Sequence, residues 1–350
     1  MKLAFVNTTK SWGGGEKWHL ENAIALRNRG YEVVIIAKKN SELIKRASQN
    51  SIKTIELKLN KLSFLNPFKI AKICDQIREN NFNKIIINSS IDLKVFGFAS
   101  ILSGFKGLIY RRGSALPVKS NVLNRFLINN ALSSLIVNSE ATKSELIGNG
   151  DLISDKSKIH LIYNGLEIQE AFEKKESSKL ILGNVGRMVE QKGQHYLIDL
   201  SVKLNQLNVD HILKIVGSGK LESDLKARAA NNPNIEFLGF KDDLRSFYSG
   251  LDIFVLSSKW EGFGYVIAEA MHEGTPVVAF NLSSNPELIE NNVNGLLIEP
   301  FDIDTMAKKI KALYEDKELL KKMGITARDT IKTNFNKEKS IDKLEQLILN

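Results

Sequence analysis

The chain has 350 residues, more than one typical core holds, so two domains of about 150 to 200 residues are expected. An apolar fraction of 43%, with 23 Gly and 6 Pro, excludes a disordered or fibrous chain, and the single cysteine, Cys74, excludes an internal disulfide and a cysteine-rich metal site while favouring a reducing compartment. The net charge of +9 is uneven, because residues 1–175 hold 27 Lys+Arg against 15 Asp+Glu whereas residues 176–350 hold 22 against 25, so one half is suited to an anionic surface or substrate.

The start, "MKLAFVNTTK", has an apolar run too short for a signal-peptide core, and no later run reaches a membrane-spanning length. A cytoplasmic location is therefore expected. In chain order, "KLAFVN", "EVVIIAK", "KTIELKL", "KIIINS", "GLIYRR", "SSLIVNS" and "KIHLIYNG" read as strands, with helical stretches between most of them. That alternation predicts a parallel α/β sheet. The charged stretch "EIQEAFEKKESSK" breaks the rhythm and reads as a linker, after which "LILGNVGR", "HILKIVGSG", "NIEFLGF", "DIFVLSS", "TPVVAF" and "GLLIEP" resume it. The resulting division is 1–170 for an N-terminal domain, 171–178 for a linker and 179–335 for a C-terminal domain. A last helix, 336–350, is placed so that it can return to the N-terminal domain. Two doubly wound Rossmann-like domains facing each other across a cleft should bind ligand at the carboxyl ends of their strands.

The glycine-bearing turns after strands carry the chemistry. "SWGGGEKWHL" puts Gly13, Gly14 and Gly15 between the first strand and a helix, where backbone N–H groups can face an anion, or simply admit a helix. In "NVGRMVEQKG", Arg187 and Lys192 bracket a loop eased by Gly186 and Gly193. Two cations five residues apart can grip a diphosphate, the Arg by its fork and the Lys as a point charge. In "KWEGFGYVIAEAM", N–H groups near Gly262, Phe263 and Gly264 point toward the same phosphate, while Glu261 precedes the helix and Glu269 lies about two turns along it. Ionised carboxylates only accept hydrogen bonds and suit vicinal diols, so the pair fits a ligand with a sugar at one end and a ribose at the other. "FDID" resembles an Asp-x-Asp metal motif, yet it precedes a long helix, and Asp304 is expected as its N-cap. The five histidines show no metal-ligand spacing.

These motifs together resemble a family-four glycosyltransferase of the GT-B fold (glycosyl transferases group 1). The resemblance is carried by "GGGE", "VNSE", "YNGLE", "GRMVEQKG", "IVGSGKLESDL", "FLGF" and "EGFGYVIAEAMHEGTPVVAFN". It implies a nucleotide-sugar donor on the C-terminal domain, a glycan or glycolipid acceptor on the N-terminal domain, retention of anomeric configuration, and no required metal or other cofactor. It also implies diphosphate contacts from Arg187 and Lys192, sugar contacts from Glu261 and ribose contacts from Glu269. Gly14, Gly15, Gly186 and Gly217 approach the donor in this reading, and Phe240 lies where a loop covers the base. Many relatives carry a histidine near the reacting sugar, whereas this chain offers "NSSID" and "YRRGSALP". Arg111 and Arg112 are then acceptor candidates holding an anionic acceptor or the leaving phosphate, unless they form structural ion pairs. No general base is evident, and Asp92 reads as a helix-start residue, so front-face attack is expected.

The acceptor expected on this reading is a lipid-linked or envelope polysaccharide or lipopolysaccharide precursor, with no nucleic-acid partner. "LKLNKLSFLNPFKIAKI" interleaves Lys58, Lys61, Lys69 and Lys72 with Phe64, Leu65 and Phe68, which suits peripheral docking on an anionic membrane or, alternatively, a core helix with a solvated basic face. A nucleotide-sugar epimerase on a related fold and a non-catalytic nucleotide-sugar-binding protein are the alternative functions.

Overall fold

The computed structural model describes residues 1–10, 12–113, 118–148, 150–170 and 177–350, the side chain of Asp151 excepted. Two compact units result, Met1–Asn164 with Glu338–Asn350, and Gly165–Lys337.

The first unit runs β1 (Lys2–Asn7), α1 (Gly14–Asn28), β2 (Glu32–Lys38), α2 (Glu42–Gln49), β3 (Lys53–Leu57), α3 (Pro67–Asn80), β4 (Lys84–Ile87), α4 (Ser90–Ser103), β5 (Leu108–Arg112), α5 (Val122–Ala131), β6 (Ser134–Val137), α6 (Glu140–Gly148) and β7 (Ile159–Leu161). Its seven strands lie parallel in the order β3-β2-β1-β4-β5-β6-β7. Strands covered on both faces need apolar residues at successive positions, and "KLAFVN" supplies them. Ala4 and Val6 pack against α3, α4 and α5 on one face, while Leu3 and Phe5 pack against α1 and α2 on the other.

The second unit runs β8 (Leu180–Val185), α7 (Gln194–Gln206), β9 (His211–Val216), α8 (Glu222–Ala229), β10 (Ile235–Phe237), α9 (Arg245–Ser249), β11 (Ile253–Leu256), α10 (Tyr265–His272), β12 (Val277–Phe280), α11 (Asn285–Leu288), β13 (Gly295–Ile298), α12 (Ile303–Glu315) and α13 (Lys317–Asn334). Six parallel strands take the order β10-β9-β8-β11-β12-β13. Both sheets are therefore doubly wound. Connections diverge in one sheet between β1 and β4 and in the other between β8 and β11, and crevices open at such points beyond the strand carboxyl ends.

The last helix, α14 (Lys337–Leu349), packs in the first unit. Ile341, Leu344, Leu347 and Ile348 are buried beside Leu3, Phe5 and Leu26, each burial being worth about 1.5–3 kcal/mol. Arg29 also pairs with Glu338, Asp342 and Glu345. Those carboxylates are partly or largely exposed, so the apolar stripe dominates the docking.

Two local expectations change. The domain boundary falls after Asn164 and not after residue 170, because Leu166 donates its N–H to the Phe335 carbonyl, and Gln169 donates its own to His272 Nε2 at 3.1 Å. Residues 165–170 thus belong to the C-terminal unit. Of the expected linker, 171–176 lie outside the described residues. The N-cap of α12 is Asp302, whose carboxylate accepts the Thr305 N–H at 2.9 Å, not Asp304. Asp304 sits in the first turn and pairs with Lys203 at 2.8 Å.

Candidate active site

In the C-terminal unit the loop after β8 and the turn after β11 meet, because those strands are neighbours in the sheet although 67 residues lie between the end of β8 and the start of β11.

 Those 67 residues, 186–252, lie between Val185 and Ile253, and adjacency of the two strands in the sheet brings the ends of the two connections together. Lys192 Nζ donates to Glu261 Oε1 at 2.6 Å, with the two side chains only 15% and 10% exposed. Gln191 Nε2 donates to the Trp260 carbonyl at 2.9 Å, Lys259 N–H to the Gln191 carbonyl at 2.8 Å, and Lys259 pairs with Glu190. Gly193, at φ 60°, lies so close to β11 that a Cβ would stand 2.3 Å from the Ser257 carbonyl oxygen. A side chain there would push the two segments apart.

The third wall is the loop after β9. Gly186 donates its N–H to the Val216 carbonyl at 3.0 Å, and a Cβ on Gly217, at φ 136°, would meet the Gly186 oxygen at 2.0 Å. Packing of backbone on backbone thus accounts for glycine at 217, a position expected to bind donor. Gly219 is pressed against the Met188 carbonyl in the same way. Arg187 itself is exposed, while its carbonyl accepts from Gln194 Nε2 at 3.1 Å. Phe240 follows Gly239 and is 66% exposed, and the Gly239 carbonyl accepts the Gly217 N–H at 2.8 Å.

Gly264, at φ 86°, is the N-cap of α10, so the first-turn N–H groups, which lack intrahelical partners, follow closely on Glu261 and Gly262 in the chain. The Phe263 side chain is buried against Tyr265 and Phe335, so its ring is packed away from solvent. Glu269, half-buried on α10, accepts from the hydroxyl of Tyr248 at 2.9 Å. Burial, followed by the Glu269 charge, pushes the Tyr248 phenol well above its ordinary pKa, so the hydroxyl stays a donor. Tyr248, Gln191 and Gln194 were not singled out from the sequence. Their amides and hydroxyl act across the fold, and nothing in their immediate neighbours marks them.

In the N-terminal unit, the turn after β1 is held by Glu16, which accepts from Asn7 Nδ2 at 2.9 Å and from the Thr9 hydroxyl. Gly14 begins α1 and is exposed; a Cβ on Gly15 would lie 2.7 Å from Asn88 Nδ2, at the end of β4. His19 reaches back to the Gly15 carbonyl at 3.0 Å, and burial, then the Arg111 charge, lowers its pKa to about 3. A neutral imidazole donates there.

Arg111, an acceptor candidate from the sequence, is engaged within its own unit. It is 2% exposed, its guanidinium donates to Asn88 at 3.0 Å and Asn164 at 3.1 Å, and it stacks 4.8 Å from the Trp18 ring centroid. It therefore braces the floor under Gly15. Arg112, at the end of β5, is half-buried, and Ser114–Pro117 of "YRRGSALP" lie outside the described residues. Asp92 is fully buried, forms a capping box with Ser89, and accepts from the Thr8 hydroxyl. Burial raises its pKa. Among the described residues, no three His, Cys, Asp or Glu side chains are grouped as metal ligands.

Residues 12–170 match the family described as Glycosyltransferase Family 4, and residues 167–330 match Glycosyl transferases group 1. The chain is 32% identical over 217 residues to the UDP-Gal:alpha-D-GlcNAc-diphosphoundecaprenol alpha-1,3-galactosyltransferase of Escherichia coli, covering 57% of this chain and 56% of that one. It is 28% identical over 185 residues to the capsular polysaccharide biosynthesis glycosyltransferase CapM of Staphylococcus aureus, covering 52% of this chain and 49% of that one. The chain thus spans about half the length of these two curated relatives. Among solved structures, Anabaena HepE in complex with UDP and glucose superposes with a TM-score of 0.84 at 23% identity over 100% of both chains, a likeness of fold. The fold is GT-B, with two Rossmann-like units.

Proposed function

From a chain that carries a glycosyltransferase family 4-type domain ahead of a glycosyl transferases group 1 domain, we propose that the protein transfers a sugar from a nucleotide-diphosphate sugar to a lipid-linked or cell-envelope glycan precursor, with retention of anomeric configuration. The observation that carries the reading is the Lys192–Glu261 pair at the meeting of the β8 loop and the β11 turn. An ammonium has three donors. One serves Glu261, and the others can hold a diphosphate oxygen, so a single lysine ties the leaving group to the carboxylate that receives the sugar hydroxyls.

Cleavage of the sugar–phosphate bond places negative charge on the departing diphosphate. Lys192, exposed Arg187 and the N–H groups at the start of α10 are prepositioned donors for that charge. Glu269, steadied by Tyr248, holds the ribose hydroxyls. The acceptor hydroxyl attacks from the face the diphosphate leaves, and the diphosphate takes its proton. The engagement of Asp92 by Thr8 and Ser89 supports this route, because a carboxylate so bonded is poorly placed to serve as general base. The names of the E. coli and S. aureus relatives support an envelope glycan acceptor, and a nucleotide-sugar donor with such an acceptor implies work at the cytoplasmic face.

The test supplies a panel of sugar nucleotides with a diphosphopolyprenyl-linked sugar, and reads the new anomeric coupling by proton NMR. Transfer with the donor's configuration is expected. Inversion overturns the front-face route, and an altered sugar nucleotide without acceptor replaces transfer by epimerisation.

A further inference from the structure

The N-terminal unit carries apolar side chains that its core does not use. On α3 the inward face is complete, with Ile70, Ile73, Cys74 and Ile77 all buried. Leu62, Leu65 and Phe68 nonetheless stand at its leading end, 68%, 66% and 83% exposed. Leu102, at the end of α4, is 66% exposed, and it joins Leu65, Ile70, Ala71 and Phe98 in lining an open groove of about 440 Å³. Phe64 turns inward and stacks on Phe98 at 6.2 Å. A core helix with a solvated basic face explains the buried residues, but not three large apolar side chains in water within seven positions.

The surroundings are predominantly cationic, although the Asp75–Arg78 pair also lines the groove. Lys58, Lys61 and Lys72 are exposed and Lys69 is half-buried, and no Asp or Glu occurs between Glu56 and Asp75. We propose that this edge of the N-terminal unit, with Leu62, Leu65, Phe68 and Leu102 as its apolar points and Lys58, Lys61 and Lys72 as its rim, docks on an anionic bilayer surface. Apolar insertion and lysine attraction to anionic headgroups add. A second copy meeting the same face would bring lysine against lysine, so charge complementarity favours lipid. The inference deepens the reading of a lipid-linked acceptor, yet it is measured without donor or acceptor, so either can fail alone. Among the described residues, no helix is long and apolar enough to cross a membrane.

The experiment is co-sedimentation of the full chain with phosphatidylcholine vesicles and with vesicles containing phosphatidylglycerol, at low and high salt. Binding to the anionic vesicles alone, weakened by salt, is expected. Replacing Lys58, Lys61 and Lys72 together by Gln should weaken partitioning about a hundredfold, at roughly fivefold per lysine. Leu65→Ser with Phe68→Ser should weaken it at least about tenfold, with the far-UV circular dichroism spectrum unchanged. No binding, equal binding to both vesicles, or binding indifferent to these substitutions overturns the proposal. Concentration-dependent dimerisation abolished by L65S/F68S also overturns it and assigns the face to a second copy.

Discussion

Replacing Lys192 by Met should expose how strongly the candidate site depends on its central ion pair. At 2.6 Å, Coulomb's law with an effective dielectric near 20 gives roughly 6 kcal/mol of attraction, most of which offsets desolvation of the two groups. Removing one partner leaves the other charge in a site where Glu261 is 10% exposed, and the expected loss of stability is about 3 kcal/mol. Lys192→Met with Glu261→Gln removes both charges, so the double variant should be more stable than the sum of the two single losses by about 2 kcal/mol. Urea unfolding followed by circular dichroism, using the transition that moves when UDP is added, gives these values. Turnover should behave differently, falling at least about a hundredfold in both single variants and staying low in the double one, because the phosphate partner is absent. Additive stability losses within about 0.5 kcal/mol would show that the pair is not coupled, and near-normal turnover in Lys192→Met would remove its assigned role.

Three further outcomes follow from particular contacts. Tyr248→Phe removes the donor to Glu269 and should raise the donor KM severalfold with kcat little changed, as for binding shared by ground and transition states; an unchanged KM assigns Tyr248 to packing. Gly217→Ala should cost roughly 2–4 kcal/mol, since its φ of 136° and a Cβ at 2.0 Å from the Gly186 oxygen act together, whereas Gly239→Ala, at φ 66° with open space around it, should cost only about 1–2 kcal/mol; equal losses in thermal unfolding would refute the clash. His19 is held neutral in the folded chain down to about pH 3 but takes a proton below about 6.5 when unfolded. The stability this contributes is present above 6.5 and lost as pH falls toward 3. Wild type should then lose up to about 1.4 kcal/mol per pH unit more than His19→Gln in that window, and parallel pH profiles would refute it.

Much of the architecture was readable in the chain. Apolar runs such as "EVVIIAK" and "DIFVLSS" specify strands covered on both faces, and the helical stretches between them force parallel crossovers, because a short connection cannot return a parallel strand. The turn-to-helix stretch holding Glu261 and Glu269 was equally local, since spacing alone sets their places on and before α10. Strand order is another matter. That β11 rather than β10 lies beside β8 is a choice of long-range hydrogen bonding, and it alone brings Lys192 to Glu261. The same non-local packing put Gly217 against Gly186, set Arg111 against Trp18, and moved residues 165–170 into the C-terminal unit. Local periodicity decides which residues are strand, helix or turn, because it acts through backbone geometry a few residues long. Which turns meet depends on contacts between distant segments, where burial and backbone pairing, summed over the whole sheet, outweigh any single residue's preference.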